Sequence, residues 1–485
     1  MKFFPLSLTV SWLCLLFPAV VLAEPLLEVE LKELKMENQQ AKDRELTLEK
    51  VLDQVRQNHP KLFSADLERR IAGAKLLEKQ GAFDPGISLE TDYLRYNDFS
   101  KRGKISKTFD NDLSFNWLTR SGLRLTTGGR YNTGDVKPPL YPTGDSGEYY
   151  IGAKLPLLRG FRINEKVAAE MQAEIGIPLA DAAYTETRLS ILLQAAYAYW
   201  NWAIADRKVT VAKNILNLAE VRCKAIEERV RQGDLPRIDA VEACQEVQRR
   251  QGSLYKSTRE FEKNVFKLSR YLWEPAGNPS PLPKAAEIPV QLPEPLPFSD
   301  DDWMEGRKAA LEKRPELKGL NLQKEITEVD LKFAKNQRLP IVDLFATPGY
   351  DTGGSSIGPS IKAGVILTVP LRQRTARGLI AAAQFKIQKL DLEQRLLLQQ
   401  VLLEVDDAVS AINASFQQYQ AARREYDLAR ELEQGERDRF EYGDSTLFLV
   451  NQRERLTAEA AVKLLDLEAE YHQAKVNFQA VTGQL

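Results

Sequence analysis

The sequence predicts a mainly α-helical protein with a β-barrel portion, built as a two-fold internal repeat of a β-hairpin plus long coiled-coil helices. Three observations predict it. The same landmarks recur in the same order in both halves of the 485-residue chain. Each half switches once from helical spacing of apolar residues to strict alternation. Each alternating stretch is then followed by very long segments rich in Ala, Leu, Gln, Glu and Arg, the composition of packed coiled helices.

The first copy spans residues 46–273 and the second 300–485. Asn58-His59-Pro60-Lys61-Leu62 matches Lys313-Arg314-Pro315-Glu316-Leu317, and in both copies the next landmark proline, Pro85 or Pro340, lies 25 residues on. Between these prolines Leu67, Ile71, Ala74 and Leu77, and equally Leu322, Ile326, Val329 and Phe333, form one apolar helical face. Alternation follows. It runs through Tyr149, Ile151, Ala153, Leu155 and Leu157 in the first copy and Ile361, Ala363, Val365, Leu367 and Val369 in the second. The strands end alike, at Leu155-Pro156-Leu157 and Val369-Pro370-Leu371. The β-hairpin regions are 85–158 and 340–371, so the first is much longer. Two further alternating stretches, Leu113–Trp117 and Leu123–Thr127, make it an extra projecting hairpin or added barrel strands; four core strands with an elaboration is the preferred expectation.

The helices beyond are long: Ala376–Tyr442 is 67 residues, roughly 100 Å at about 1.5 Å per residue. Ile175-Gly176-Ile177-Pro178 predicts a kink or break in the first copy. Each long helix reverses at Arg-x-x-x-Gly-Asp, giving tips near 233 and 443 with Gly233, Asp234, Gly443 and Asp444 in the turns. Pro236 suits the start of the returning helix. Residues 274–299 hold eight of the 24 prolines and predict an extended, non-helical surface linker. Ser299 followed by three aspartates starts the next helix.

Composition excludes several function classes. The 67 basic and 68 acidic residues argue against a nucleic-acid partner. Only His59 and His472 are present, both read as surface helix positions, so histidine-based catalysis or metal binding is not expected, nor is any cofactor. Thr126–Gly129 and Gly353–Ser356 are small-residue runs, but neither opens a helix as a phosphate loop does. Lys2, the apolar run Leu6–Leu22 and Val21-Leu22-Ala23 predict a signal peptide over 1–23, with 24–45 an N-terminal extension. Cys14 lies inside that run and not at a lipidation site. No later stretch is apolar enough for a spanning helix, so membrane crossing must use strands. Too few strands are present to close a barrel within one chain, which requires several copies to pool them. Tyr93, Tyr96, Trp117, Tyr131, Tyr149, Tyr150 and Tyr350 suit aromatic girdles. Cys223 and Cys244 lie 10 residues before and 11 after Gly233, so an antiparallel hairpin makes them a candidate pair. A disulfide between them is possible in an oxidising compartment, although the usual helix spacing of about 8–10 Å is wide for the bond.

The chain resembles the TolC family of outer-membrane efflux proteins. The resemblance rests on Leu46–Leu52 with Asn58-His59-Pro60, the strand exit Val365–Leu371, the Gly233 turn followed by Ile238–Val241, and the Gly443 turn, and it covers about residues 46–485. It implies a homotrimeric α/β-barrel duct of the cell outer membrane that extends into the periplasm. Each subunit would give four strands to a shared 12-stranded barrel lying in outer-membrane lipid. The implied partners are a periplasmic adaptor (membrane fusion) protein and an inner-membrane pump of RND or ABC type. The implied function is passive export of small molecules, metals or proteins by a tripartite efflux or type I secretion system, with no enzymatic step. In the family the tips constrict the tunnel and meet the adaptor, which makes Arg237, Asp239 and Glu242 candidate gate or adaptor contacts. The family's aspartate six residues after the second tip glycine is Leu449 here, with Gln452 beyond it. The alternative is a periplasmic coiled-coil structural protein with no channel, which would not need a hairpin at the same place in both copies.

Overall fold

A computed structural model describes residues 45–97, 103–137, 142–275, 277–352 and 358–485. The predicted signal peptide, the extension up to 44 and the turn Gly353–Ser356 lie outside the described residues.

The two copies fold alike. The first runs α1 (Leu48–Asn58), α2 (Pro60–Gln80), strands β1 (Gly86–Asn97), β2 (Ile105–Leu118), β3 (Arg124–Gly134) and β4 (Glu148–Pro156), then α3 (Glu165–Gln232) and α4 (Arg237–Ser269). The second runs α5 (Asp300–Lys313), α6 (Pro315–Gln337), β5 (Ile341–Asp351), β6 (Gly358–Thr368), α7 (Arg374–Glu441) and α8 (Leu447–Val481). Local chemistry sets these boundaries. Thr47 and Ser299 cap α1 and α5 through side chains that accept from Lys50 N and Asp301 N. Pro60 and Pro315 each occupy the first turn of a new helix, where a missing N–H costs nothing. Asn164 starts α3 by accepting from the backbone of Lys166 and Val167.

The expected break at Pro178 is absent: α3 is one helix of 68 residues, as long as α7. Proline removes one hydrogen bond, the one to the carbonyl of Glu174, an exposed residue. Neighbours on both sides, α2 and α6, hold the segment straight enough to continue.

The expectation of four strands is also corrected. The described strands form one six-stranded antiparallel sheet in the order β1-β2-β3-β4-β5-β6. The extra hairpin, β2–β3, is a full member of it: Gly86 to Asn97 pairs with Asn116 to Ile105, and Arg124 pairs with both Leu118 and Lys154. Glycine makes room where aromatic rings cross the sheet. A Cβ on Gly128 would stand 2.8 Å from the Tyr150 hydroxyl, and one on Gly364 2.8 Å from the Phe345 ring.

The helices lie side by side as an arc. Near the sheet the order of neighbours is α2-α3-α6-α7, and towards the tips it is α4-α3-α8-α7. Two cores sit where the short helices dock. Val51, Val55, Leu192, Tyr199, Trp202 and Leu268 form one; Ala310, Val401, Val405, Ala408, Ile412 and Tyr471 form the other.

Residues 274–299 bind the two cores like a belt, closer than a surface linker would. The segment contains one 3-10 turn, Ala285–Glu287, and Ile288 is buried. Its carbonyls take hydrogen bonds from Arg207, Tyr471 and His472. Both histidines are buried instead of lying on the surface. His59 caps α2, its Nδ1 accepting from Lys61 N. His472 stacks on Trp200 at 4.0 Å between ring centroids and donates from Nε2 to the Pro293 carbonyl at 2.9 Å.

That burial lowers the His472 pKa to about 4. The neutral ring is the folded form, so the unfolded chain, titrating near 6.5, binds the extra proton on acidification. Stability from this residue is complete above pH 6.5 and is lost as pH falls towards 4, on the order of 3 kcal/mol. A His472→Gln variant is expected to lack that slope in thermal unfolding measured across pH 4–7; an unchanged slope would place the acid sensitivity elsewhere.

Candidate functional site

Three features of the surface are built for contact or passage: the helical tips, the two-sided sheet, and the two ends of the helical arc.

At the tips the sequence dictates the turn. Gly233 and Gly443 both take the left-handed conformation, φ 85° and 84°. Asp234 N donates to Arg229 O at 2.9 Å and Asp444 N to Arg439 O at 2.8 Å, closing the same helix end twice. Pro236 directly precedes α4, and Thr446 caps α8 by accepting from Leu449 N. Arg237 is exposed on the first turn of α4, while Asp239 and Glu242 are half-buried there. Apolar side chains share the tips: Ile238, Val241, Tyr442, Phe448 and Leu449 are all exposed. Cys223 and Cys244 form a disulfide with Cα atoms 5.1 Å apart. The wide gap expected from helix spacing does not arise. The axis-to-axis distance overstates the gap between facing residues, because each Cα stands about 2.3 Å off its axis towards the partner. Titration of unfolded, unreduced protein should therefore find no free thiol at these positions; two thiols would disprove the bond.

Between the tips and the cores lies a group that sequence reasoning missed. Glu454 on α8 is only 1% exposed. Three guanidiniums from three other helices surround its carboxylate. Arg222 of α3 donates at 2.8 Å with a second, shorter bond, Arg250 of α4 donates at 2.8 Å, and Arg437 of α7 at 2.9 Å. Arg250 also bonds Glu246 and the Ile215 carbonyl, and Arg222 bonds Asn451. Burial pushes the Glu454 carboxyl up, but Arg222 and Arg250 outweigh it and hold the pKa at about 2. The cluster thus ties all four helices of the arc, and both repeats, at one point. A signal was present: Glu454 falls on the buried stripe Leu447, Val450, Thr457, and Arg250 on the stripe of Ala243 and Glu246. Charges on a core stripe require partners.

The sheet has two unlike faces. Register places Ile87, Leu89 and Tyr93 of β1 beside Phe115, Leu113 and Phe109 of β2. The same face continues with Leu125 and Tyr131 of β3, Tyr149, Ile151 and Leu155 of β4, Leu344 and Tyr350 of β5, and Val365 and Leu367 of β6. Most of these side chains are exposed, Ile87 to 77% and Leu367 to 65%. The opposite face carries Glu90, Asp92, Asp112, Ser114, Arg130, Glu148, Lys154 and Lys362. Of the aromatics expected in girdles, Tyr93, Trp117, Tyr131, Tyr149 and Tyr350 lie on the apolar face. Tyr96 and Tyr150 lie on the polar one, where Tyr150 donates to Asp112 at 2.8 Å.

The arc is open at both ends. α2 exposes Phe63, Leu67, Ile71 and Leu77, which include most of the stripe read from the sequence. α7 exposes Leu379, Phe385, Leu392, Leu396 and Leu403 on its side away from α6 and α8. In the sheet, β1 and β6 are the edges. No described helix is long and apolar enough to cross a membrane.

Residues 307–484 match the outer membrane efflux protein family. No curated protein matches the chain by sequence. Solved structures share its fold over most of its length. The outer membrane channel CmeC of Campylobacter jejuni aligns with a TM-score of 0.65 at 15% identity, covering 90% of this chain and 85% of that one. The MtrE outer membrane channel of Neisseria gonorrhoeae, in an open state, gives 0.66 at 16%, covering 90% and 88%. The outer membrane protein VceC of Vibrio cholerae gives 0.64 at 15%, covering 90% and 96%.

Proposed function

We propose that this chain, whose residues 307–484 belong to the outer membrane efflux protein family, is the outer-membrane exit duct of a tripartite efflux or type I secretion system. It works as a homotrimer, passively, with no catalytic step. The observation that carries this reading is the join between an amphipathic open sheet and two helices of 68 residues each. Unpaired strand edges cannot face lipid, where each unsatisfied backbone group costs several kcal/mol. Neighbouring copies satisfy them by pairing β6 of one with β1 of the next. The same closure covers the apolar rows on α2 and α7. The sheet then forms a barrel in the outer membrane with its apolar face outward, and the helices form a tunnel roughly 100 Å long into the periplasm. A structural coiled coil would have no use for the apolar sheet face.

The tips then meet the partners. A periplasmic adaptor and an inner-membrane pump of RND or ABC type complete the path, and the exposed Ile238, Val241 and Phe448 with Arg237 fit an adaptor's apolar and polar contacts. Asp239 and Glu242 are the acidic candidates for a constriction, and Leu449 makes the second repeat's side of it apolar. In planar bilayers the trimer should conduct. An Asp239→Ala, Glu242→Ala double variant should lose block by divalent or trivalent cations, and unchanged conductance and block would reject the gate role. Absence of any channel would reject the duct.

A further inference from the structure

We infer that the outer mouth of the assembled duct is an 18-stranded barrel, to which the β2–β3 hairpin contributes six of the strands. This rests on the trimeric reading above and adds the width and lining of its mouth.

The argument begins with connectivity. Helices attach to β1, β4, β5 and β6: α2 leads into β1, β4 into α3, α6 into β5 and β6 into α7. Strands β2 and β3 attach to no helix and turn back on each other through Thr119–Leu123, where Gly122 stands at φ 90°. They nevertheless carry the sheet's two-sidedness without interruption. Phe109, Leu113, Phe115 and Trp117 lie on the apolar face, and Asp112, Ser114 and Asn116 on the polar one. A hairpin projecting into water above the membrane has no reason to keep an apolar row in register with lipid-facing neighbours. An even strand count also leaves β1 and β6 running oppositely, so copies can join into an all-antiparallel barrel.

Circumference gives an independent check. Four helices per level from each of three copies make a ring of twelve, about 115 Å around at about 9.5 Å between axes. Strands lie about 4.8 Å apart, so 18 of them reach that circumference when tilted by about 40°. Barrel strands ordinarily tilt by about 35–45°. Eighteen strands at an ordinary tilt are therefore compatible with the width of the tunnel. The hairpin also sets Asp110 and Asp112 of β2 opposite Asp92 and Glu90 of β1 in the wall of the mouth.

Two measurements on trimers in lipid nanodiscs test this. Electron cryomicroscopy of the unmodified protein should resolve 18 strands. Spin labels at Leu113→Cys and Phe115→Cys should be relaxed by oxygen, as in lipid, and one at Ser114→Cys by a water-soluble nickel chelate. The native cysteines, being bonded, take no label. Trimers with 12 strands, or labels all open to nickel, would overturn the wide mouth and leave the duct standing. Protein that remains monomeric would overturn both.

Discussion

Replacing Glu454 with glutamine is expected to loosen the periplasmic half of the arc by about 3–5 kcal/mol, the cost of removing one partner from a buried ion cluster. The reason is charge balance. Among the described residues Glu454 is the one carboxylate that Arg222, Arg250 and Arg437 share. Without its charge three guanidiniums face one another in a largely buried site, where Glu246 and Glu433 are the carboxylates paired with them among the described residues. Amide hydrogen exchange in 447–457 should rise roughly hundred-fold or more, since about 1.4 kcal/mol is tenfold. Exchange at the distant cores around Trp202 and Val405 should be little changed. The same logic fixes a pH dependence. The carboxyl is held at about 2, so its contribution is whole above pH 4.5 and disappears as pH falls towards 2. Exchange unaltered by the substitution would mean that the cluster holds nothing together.

The second large effect separates adjacent residues of β1. Leu89→Arg places a cation on the apolar face, and Ser88→Arg places one on the polar face. A lipid-facing arginine costs about 2–4 kcal/mol at the membrane midplane, whereas the lumen side tolerates it. The cost is repeated in every copy. Leu89→Arg should therefore sharply reduce the trimer recovered from the outer membrane, and Ser88→Arg should leave it nearly unchanged. Equal effects would mean that the sheet does not present these faces to lipid and lumen.

The repeat was legible because it is written in spacing. Prolines at first turns, glycines at tips and alternation in strands act locally, and each means the same thing in both copies. What escaped the sequence depends on partners far along the chain. Strand β3 was visible as alternation over Leu123–Thr127, but its membership of the sheet was not, since its next residues, Gly128 and Gly129, lie beneath rings from β4. Its place there depends on pairing with β2 and β4, which come from elsewhere in the chain. Pro178 signals a break that two flanking helices avert. His472 looked like a surface residue because its ring partner, Trp200, and its acceptor, Pro293, come from other segments. Of the candidate site, the tip turns and the cysteine pair could be read from symmetry about Gly233. The Glu454 cluster could not, since four helices supply it, although two charges on core stripes marked where to look.

The central claim, that several copies close one membrane duct, is tested most directly by the mass and location of the native protein. Extraction of outer membranes in mild detergent should yield a heat-modifiable particle of three chains, and little should be found in the soluble periplasm. Recovery as a soluble monomer would contradict the account.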